Sequence, residues 1–243
     1  MTNATAGIHS AISSMPFYGL ITPGFSGVNF PKWRATNCLG RPFITIFDSL
    51  NFVVFGRAAG AEQLLDSLVV NERKRQQRED TPSLLAIDSQ SVKIVQFIDE
   101  ETGIDANKKI NGRKRSIAVD RLGLPWSIAV TAANVSDNEA GRLVVDRLRG
   151  KVPRLEVIAA DHGYKVSFIE HVETQHGWRV EIAQKPESGR GFVAEKNRWM
   201  VERSFGWLNF RRRLFRDVDK TIESSEAMLR ISFISILLNR LTK

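Results

Sequence analysis

The stretch at residues 84–92 constrains the fold more than any other part of the chain. Four apolar residues lead directly into Asp88, and polar and apolar residues alternate after it. An apolar run of this length, preceded by the turn-type residues 81–83, predicts a buried strand. Burying a carboxylate costs several kcal/mol unless it is paired or binds a metal. Taken alone, Asp88 favours a solvated or turn-capping role, so the rest of the chain must decide what it faces.

The composition narrows the functional classes. The 243-residue chain has a formal net charge of +8, which is typical of a protein with a polyanionic partner, nucleic acid first. The single cysteine, Cys38, excludes a disulfide framework and fits a reducing cytosol. No clustered Cys/His pattern indicates a structural zinc site, and no apolar stretch is long enough to span a bilayer. The first residues also lack the features of a signal peptide.

The chain divides into two predicted parts. Residues 1–80 predict an atypical N-terminal region, partly helical or poorly ordered, and residues 81–243 predict the main domain. Helical spacing begins at Ala61 and runs into the charged stretch 71–80. By its composition, that stretch indicates a solvated helix end or a linker.

The order of predicted elements defines the fold class. Three strands with short links predict an antiparallel meander, and alternating helices and strands follow it. Ser136 is the predicted N-cap of the first of these helices, with Glu139 three residues later. The order β-β-β-α-β-α-β-α-α is that of the ribonuclease H-like fold, an α/β mixed sheet with helices on both faces. The predicted strands are 84–92, 113–120, 125–132, 155–164 and 178–183, and the predicted helices are 140–148, 166–176, 194–213 and 223–241.

Two of the apolar strands are predicted to end on an aspartate, Asp88 and Asp161. In the ribonuclease H-like order these strands are adjacent and parallel, which places both side chains at the same side of the sheet. Two carboxylates this close ionise together only with a cation between them. Oxygen ligands select hard ions, so the pattern predicts Mg²⁺ or Mn²⁺.

A third carboxylate is expected from a late helix packed over the sheet. Glu202 flanks an apolar stripe formed by Val201, Phe205 and Leu208. Glu195 is a rival of the same type. The spacing alone favours Glu202 as the third carboxylate but does not exclude Glu195.

Five short motifs follow one another within residues 61–243. They lie at residues 87–93, 111–115, 132–137, 160–164 and 198–209. In this order they resemble the DDE transposases of bacterial insertion sequences, specifically the IS-five group. The resemblance implies that Asp88, Asp161 and Glu202 are the catalytic residues and the metal ligands.

The resemblance also implies a reaction and its partners. The reaction is cleavage of double-stranded DNA at the element ends, followed by transfer of 3′-hydroxyls to target DNA, with two Mg²⁺ ions (Mn²⁺ is possible). No covalent protein–DNA intermediate is expected, so Tyr164 is expected to pack or to form a hydrogen bond near Asp161. The family implies a homodimer on DNA in the bacterial cytoplasm, associated with the nucleoid. The alternative is an inactive transposase remnant, or a DNA-binding protein without catalysis.

The chain departs from the family pattern at several places. Arg198 matches the arginine four residues before the glutamate, but Glu195 and Asn209 replace an expected tyrosine and an expected lysine. Residues 34–60 do not follow the family's N-terminal pattern. We hypothesise that residues 1 to about 60 are partly read out of frame or begin at a substitute start.

Basic residues flank the predicted site. Residues 190–216 contain eight Arg or Lys and two Glu, and a second basic cluster lies at 108–115. Trp207, Phe210 and Phe215 interleave with the first cluster, and we expect core packing for them ahead of stacking on bases. The predicted DNA-binding residues are Lys93, Arg113, Lys114, Arg115, His162, Arg198, Arg203, Arg211, Arg212 and Arg213.

Overall fold

The computed structural model describes residues 60–96, 98, 100–183 and 197–243. The expectations for residues 1–59 and for Glu195 lie outside these described residues. The strands are β1 (Leu84–Lys93), β2 (Gly103–Asp105), β3 (Ile110–Val119), β4 (Pro125–Ala132), β5 (Val157–Ala160) and β6 (Arg179–Ile182). The helices are α1 (Gly60–Arg75), α2 (Asp137–Asp146), α3 (Val166–His176), α4 (Arg198–Asn209) and α5 (Ile222–Leu241), with a 3₁₀ turn at Arg212–Leu214.

The strands form one mixed sheet in the order β2-β3-β1-β5-β6, with β4 paired to β3. β1 is antiparallel to β3 and parallel to β5. The predicted parallel neighbours are therefore adjacent, and the ribonuclease H-like α/β class is confirmed. The short strand β2 is not among the predicted strands.

Helices cover both faces of this sheet. Lys114 of β3 donates a hydrogen bond to the carbonyl oxygen of Val135, just before α2, at 2.7 Å. The next residue, Arg115, donates to the carbonyl oxygen of Leu214, between α4 and α5, at 2.8 Å. Successive strand residues point to opposite faces. The helix α2 and the segment from α4 to α5 therefore lie on different faces, as predicted.

Local capping explains where the helices begin and end. The Oγ of Ser136 accepts a hydrogen bond from the Glu139 amide at 3.2 Å, which confirms the predicted N-cap of α2. Gly177 adopts a left-handed φ of 71° and ends α3 directly after His176. At the other end of the described chain, Thr221 caps α5 through the Ser224 amide. These polar and glycine positions fix the helix boundaries to within a few residues of the predicted ones.

The core joins the sheet to α1 and α5. Leu65 and Leu68 of α1 and Phe233 and Leu237 of α5 are buried in the same apolar cluster as Leu85 of β1. The apolar face of α5 thus closes the core. Among the described residues, no helix combines the length and the apolar character needed to cross a bilayer.

The charged stretch after α1 is more buried than its composition indicates. The helix continues to Arg75, and Glu72 and Arg73 are buried. The Arg73 guanidinium pairs with the Asp120 carboxylate and donates to the Glu79 carbonyl oxygen at 2.7 Å. The interpretation of 71–80 as a solvated segment is therefore wrong for these two residues. Asp120 compensates the charge of Arg73 from a distant part of the chain, and Arg75 compensates that of Glu72 one turn away.

Asp217 anchors a buried ion cluster next to the start of α5. Its carboxylate oxygens lie 3.5 Å from Arg113 Nη1 and 3.8 Å from Arg115 Nη2, and all three side chains are at most 1% exposed. Arg113 also donates to the carbonyl oxygens of Asp219 and Lys220, each at 2.8 Å. The prediction that Arg113 and Arg115 bind DNA is therefore corrected: both guanidinium groups are buried and contact protein oxygens.

We predict that Asp217→Asn lowers the free energy of unfolding by roughly 3 kcal/mol, because it leaves two buried guanidinium groups without their carboxylate. Urea unfolding followed by circular dichroism measures the loss. The control Asp80→Asn removes the same charge from an exposed pair with Lys74 and is expected to cost less than about 1 kcal/mol. Equal losses in the two variants would show that the cluster does not stabilise the fold.

Candidate active site

Asp88 and Asp161 come together through the pairing of β1 with β5. The parallel register pairs Ile87 with Ala160, so the two aspartates hold the next position on neighbouring chain segments. Paired strands lie about 4.8 Å apart, and the charge of Asp161 acts on Asp88. The structure therefore brings the two predicted aspartates together. In detail, β1 continues past Asp88 to Lys93, whereas β5 ends just before Asp161.

The environment of Asp88 favours its neutral form. Burial raises the pKa of this carboxyl group to about 6, and the charge of Asp161 adds to the rise. A hydrogen bond from the Ser89 amide, at 2.7 Å, and the charge of Arg198 act in the opposite direction. A carboxylate held in this way gains from any cation that replaces its lost hydration.

Asp161 is less buried but carries an unsatisfied oxygen. Its side chain is 23% exposed, and its Oδ1 contacts Nδ1 of His162. That Oδ1 is shielded from solvent and forms no directed hydrogen bond among the described residues. The ring of His162 is half exposed. This acceptor oxygen would become available to a further ligand if the half-exposed ring of His162 moved away from it.

Glu202 lies on α4, which packs across β1 on the face of Asp88. Met200, Val201 and Phe205 bury the inner side of the helix, while Glu202 stays exposed. Arg198 Nε lies 3.0 Å from Glu202 Oε1, one helical turn away, and the charge of Arg198 also acts on Asp88. Arg198 thus lies where its charge acts on both Glu202 and Asp88.

Asn209, which replaces a lysine of the family pattern, also lies against β1. Its Oδ1 accepts a hydrogen bond of 3.3 Å from Nε2 of Gln90. Gln90 is two residues beyond Asp88 and points to the same face of the sheet. At this end of α4, the chain therefore has a neutral hydrogen bond where the family pattern has a lysine cation.

A fourth carboxylate, Asp137, supports the site from the opposite face. Its Oδ1 accepts hydrogen bonds from Ser89 Oγ at 2.7 Å and from Lys114 Nζ at 2.9 Å. Burial alone would raise the pKa of Asp137, but these bonds from Lys114 and Ser89 outweigh it and lower the pKa. The charged group ties the start of α2 to β1 next to Asp88. Lys114 is therefore buried in a structural contact rather than presented to DNA.

Tyr164 is packed under the aspartates. Burial raises its pKa well above 10, and the charges of Asp88, Asp137 and Asp161 add to this effect. Its ring lies 4.8 Å from that of Phe168, and a Cβ added at Gly141 would come within 2.7 Å of it. The expectation that Tyr164 packs near Asp161 is confirmed. A phenol this buried and this weakly acidic is unsuited to nucleophilic attack on DNA.

A turn between β2 and β3 brings a cation over the acids. Asp105 accepts hydrogen bonds from the amides of Asn107 and Lys108, at 3.0 and 3.1 Å, and from Ser91 Oγ at 2.5 Å. Lys108 is exposed, and its charge lowers the pKa of Asp88. Sequence reasoning named Lys108 as part of a basic cluster but did not select it as a site residue.

The exposed cations lie beyond the end of β1. Lys93, Lys109 and Arg216 line one surface groove there. Arg211 is partly exposed, while Arg212 and Arg213 are exposed; Arg213 pairs with Asp219 at 2.8 Å. Arg203 instead donates to the Arg121 carbonyl oxygen and lies against two tryptophan rings, Trp199 and Trp207.

Two aromatic residues beside these arginines are in solvent. Phe210 is 88% exposed and Phe215 is 74% exposed. The expectation of core packing is therefore wrong for both, because α4 ends at Asn209 and the chain turns along the surface. Trp207 is partly buried against the core, with Arg240 4.0 Å from its ring centre.

The sheet order and the neighbouring aspartates define an α/β protein of the ribonuclease H-like class with an oxygen-rich site. The family model described as the transposase DDE domain matches residues 79–238 of the chain. The chain belongs to this family of DDE transposases, whose substrate is DNA and whose reactions are transposition and recombination. The comparison with curated proteins gave no match.

We predict that Asp88→Asn stabilises the metal-free fold. Because the folded-state pKa is about 6, the ionised group costs stability above that pH. The cost vanishes below about pH 4, where the unfolded chain also binds the proton. In a chelator, unfolding by urea should show a gain of about 1–3 kcal/mol near neutral pH. A gain that does not shrink between about pH 6 and pH 4 would contradict the assigned burial.

Proposed function

We propose that the chain is an insertion-sequence transposase of the IS-five group that cleaves element ends and transfers their 3′-hydroxyls to target DNA. The observation that carries the proposal is the register that places Asp88 beside Asp161, with Glu202 on the helix across them. The catalytic unit would comprise the predicted domain at residues 81–243, with α1 packed into its core. It would act in the bacterial cytoplasm, on nucleoid DNA.

The carboxylates fit a hard divalent cation. The oxygens of Asp88, Asp161 and Glu202 are the donors that Mg²⁺ and Mn²⁺ prefer. The shielded Oδ1 of Asp161, without a hydrogen bond among the described residues, suits a metal ligand. When two ions are bound, they would supply activation of a water or a 3′-hydroxyl and stabilisation of the leaving oxygen.

Each residue of the site would have a distinct task. Asp88 and Asp161 would hold the cations at the sheet, and Glu202 would complete the ligand set from α4. Its present pair with Arg198 is about half exposed, so releasing the glutamate costs less than about 1 kcal/mol. Arg198 could then contact a phosphate. His162, half exposed beside Asp161, could do the same.

The DNA-binding surface we propose runs from Lys93 to the segment after α4. It combines Lys93, Arg211, Arg212 and Arg213 with the exposed rings of Phe210 and Phe215. Cations fix the phosphate backbone, and aromatic faces stack on unpaired bases. Two copies of the chain would act together, because the two element ends are cut in one event.

We predict that Asp88→Asn, Asp161→Asn and Glu202→Gln each reduce Mg²⁺-dependent nicking of supercoiled DNA by at least about 100-fold. Loss of even an outer-shell partner of a metal costs about 10–100-fold, and loss of a ligand costs more. Gel electrophoresis of nicked and closed plasmid measures the rate, and a filter-binding assay on the same DNA measures affinity. Affinity is expected to stay near that of the unmodified chain.

The matched control is Glu173→Gln, which removes one exposed carboxylate from α3. It should nick DNA at the unmodified rate. If the control and the three site variants nick DNA at the same rate, the proposed catalytic assignment is wrong. Absence of Mg²⁺-dependent nicking in the unmodified chain, with DNA binding retained, would identify an inactive remnant.

We predict that the double variant Arg211→Gln, Arg212→Gln weakens DNA binding and reduces the slope of log affinity against log salt by about 2. Fluorescence anisotropy across a salt series measures this slope. The control pair Arg149→Gln, Arg154→Gln removes two charges from another part of the chain. Arg149 lies just after the end of α2, and Arg154 lies just before the start of β5. An equal change in the control would mean that binding depends on net charge and not on this surface.

A further inference from the structure

A second group of metal-ligating side chains lies at the far end of α2 and α3 from the aspartates. Asp146 is the last residue of α2, His171 is the central residue of α3, and His176 is the last residue of α3. Nε2 of each histidine lies 2.8 Å from the same carboxylate oxygen, Oδ1 of Asp146. Each of these three residues offers one possible ligand atom. Within the described ranges, they form the group of His, Cys, Asp or Glu residues in which these atoms all lie within 4.8 Å of one another.

The packing around this triad holds the histidines in place. The side chain of His176 is 2% exposed, and its ring stacks on Trp178 at 4.7 Å with an interplanar angle of 12°. His171 meets His176 edge-on, with ring centres 5.8 Å apart. Gly177, in the left-handed conformation, turns the chain immediately after His176 towards β6. The two rings are therefore positioned before any ligand arrives.

The carboxylate side of the triad is open. Asp146 is 50% exposed and His171 is 23% exposed, so the triad borders solvent on this side. Three protein ligands and one open position are the arrangement that a tetrahedral Zn²⁺ ion takes with a water as its fourth ligand. Imidazole nitrogens favour Zn²⁺ over Mg²⁺, which prefers oxygen.

The spacing of the ligand atoms suits such an ion after a small adjustment. Zn²⁺ bonds to nitrogen and oxygen are about 2.0–2.1 Å long, which places tetrahedral ligands about 3.3 Å apart. The Asp146–histidine distances of 2.8 Å are those of hydrogen bonds. They need to open by about half an ångström. Asp146, at an exposed helix end, is the residue free to make that shift.

We propose that Asp146, His171 and His176 bind one Zn²⁺ ion, separate from the cation site of the aspartates. The ion would join the end of α2 to the end of α3 and fix the chain where it enters β6. The proposal does not depend on the catalytic function, because it uses none of the residues assigned to that site.

Calorimetric titration of the full chain with Zn²⁺ tests the site. Asp88→Asn and Glu202→Gln are introduced first, so that the aspartate site does not contribute. One Zn²⁺ per chain is expected. Asp146→Asn, His171→Gln and His176→Gln should each weaken binding by at least about tenfold. Glu173→Gln, which removes a carboxylate from the same helix, should leave the affinity unchanged.

Co²⁺ gives a second readout, since a tetrahedral nitrogen–oxygen site produces intense visible absorption bands. These bands should appear with the unmodified triad and disappear in Asp146→Asn. Circular dichroism in chelator checks that each variant folds; should the buried His176→Gln fail, Asp146→Asn and His171→Gln decide. Two results would overturn the proposal: unchanged Zn²⁺ affinity in those two variants, or no Zn²⁺ binding by the intact triad. The triad would then be only a set of hydrogen bonds that joins α2 to α3.

Discussion

The register of β1 between β3 and β5 is the constraint on which the site depends. Side chains alternate between the faces of a sheet, so a slip of one residue would exchange Asp88 for Ser89. Two contacts oppose such a slip from the two faces: Ser89 binds Asp137 at the start of α2, and Gln90 binds Asn209 at the end of α4. The polar residues after Asp88 therefore do more than continue the strand; they hold the aspartate on the side of α4.

The same alternation decides which basic residues reach solvent. In the run 113–115, the two arginines point towards Asp217 and the carbonyl groups around it, while Lys114 points towards Asp137. A consecutive basic run looks like a nucleic-acid contact in the sequence because the compensating acids come about 20 and 100 residues later. Charge counts alone cannot separate a surface patch from an internal ion cluster. Burial separates them, since a guanidinium without water requires several fixed acceptors.

Most of the fold could be predicted because its signals are local. β4, α3 and the cap of α2 follow from alternation, apolar spacing and single residues such as Ser136 and Gly177. The pairing of Asp88 with Asp161 needed the element order in addition. The cluster of Asp146, His171 and His176 could not be predicted, because two separate helices supply it and no fixed spacing marks it. The exposure of Phe210 was also missed, since its apolar character gives no sign that α4 has already ended.

The helices α2 and α3 connect two regions with different ligand chemistry. Near their first residues lie Asp137 and the oxygen-rich site; near their last residues lie two imidazoles and one carboxylate. Hard cations prefer the first set and nitrogen-binding transition metals the second. Ligand type thus separates the two regions, even though they share the same pair of helices. Asp88 makes this part of the sheet intrinsically costly to fold, because its ionised form has lost much of its contact with water. Contacts at the opposite ends of α2 and α3 can therefore stabilise the helices without neutralising the aspartates that a DNA-processing site must keep available.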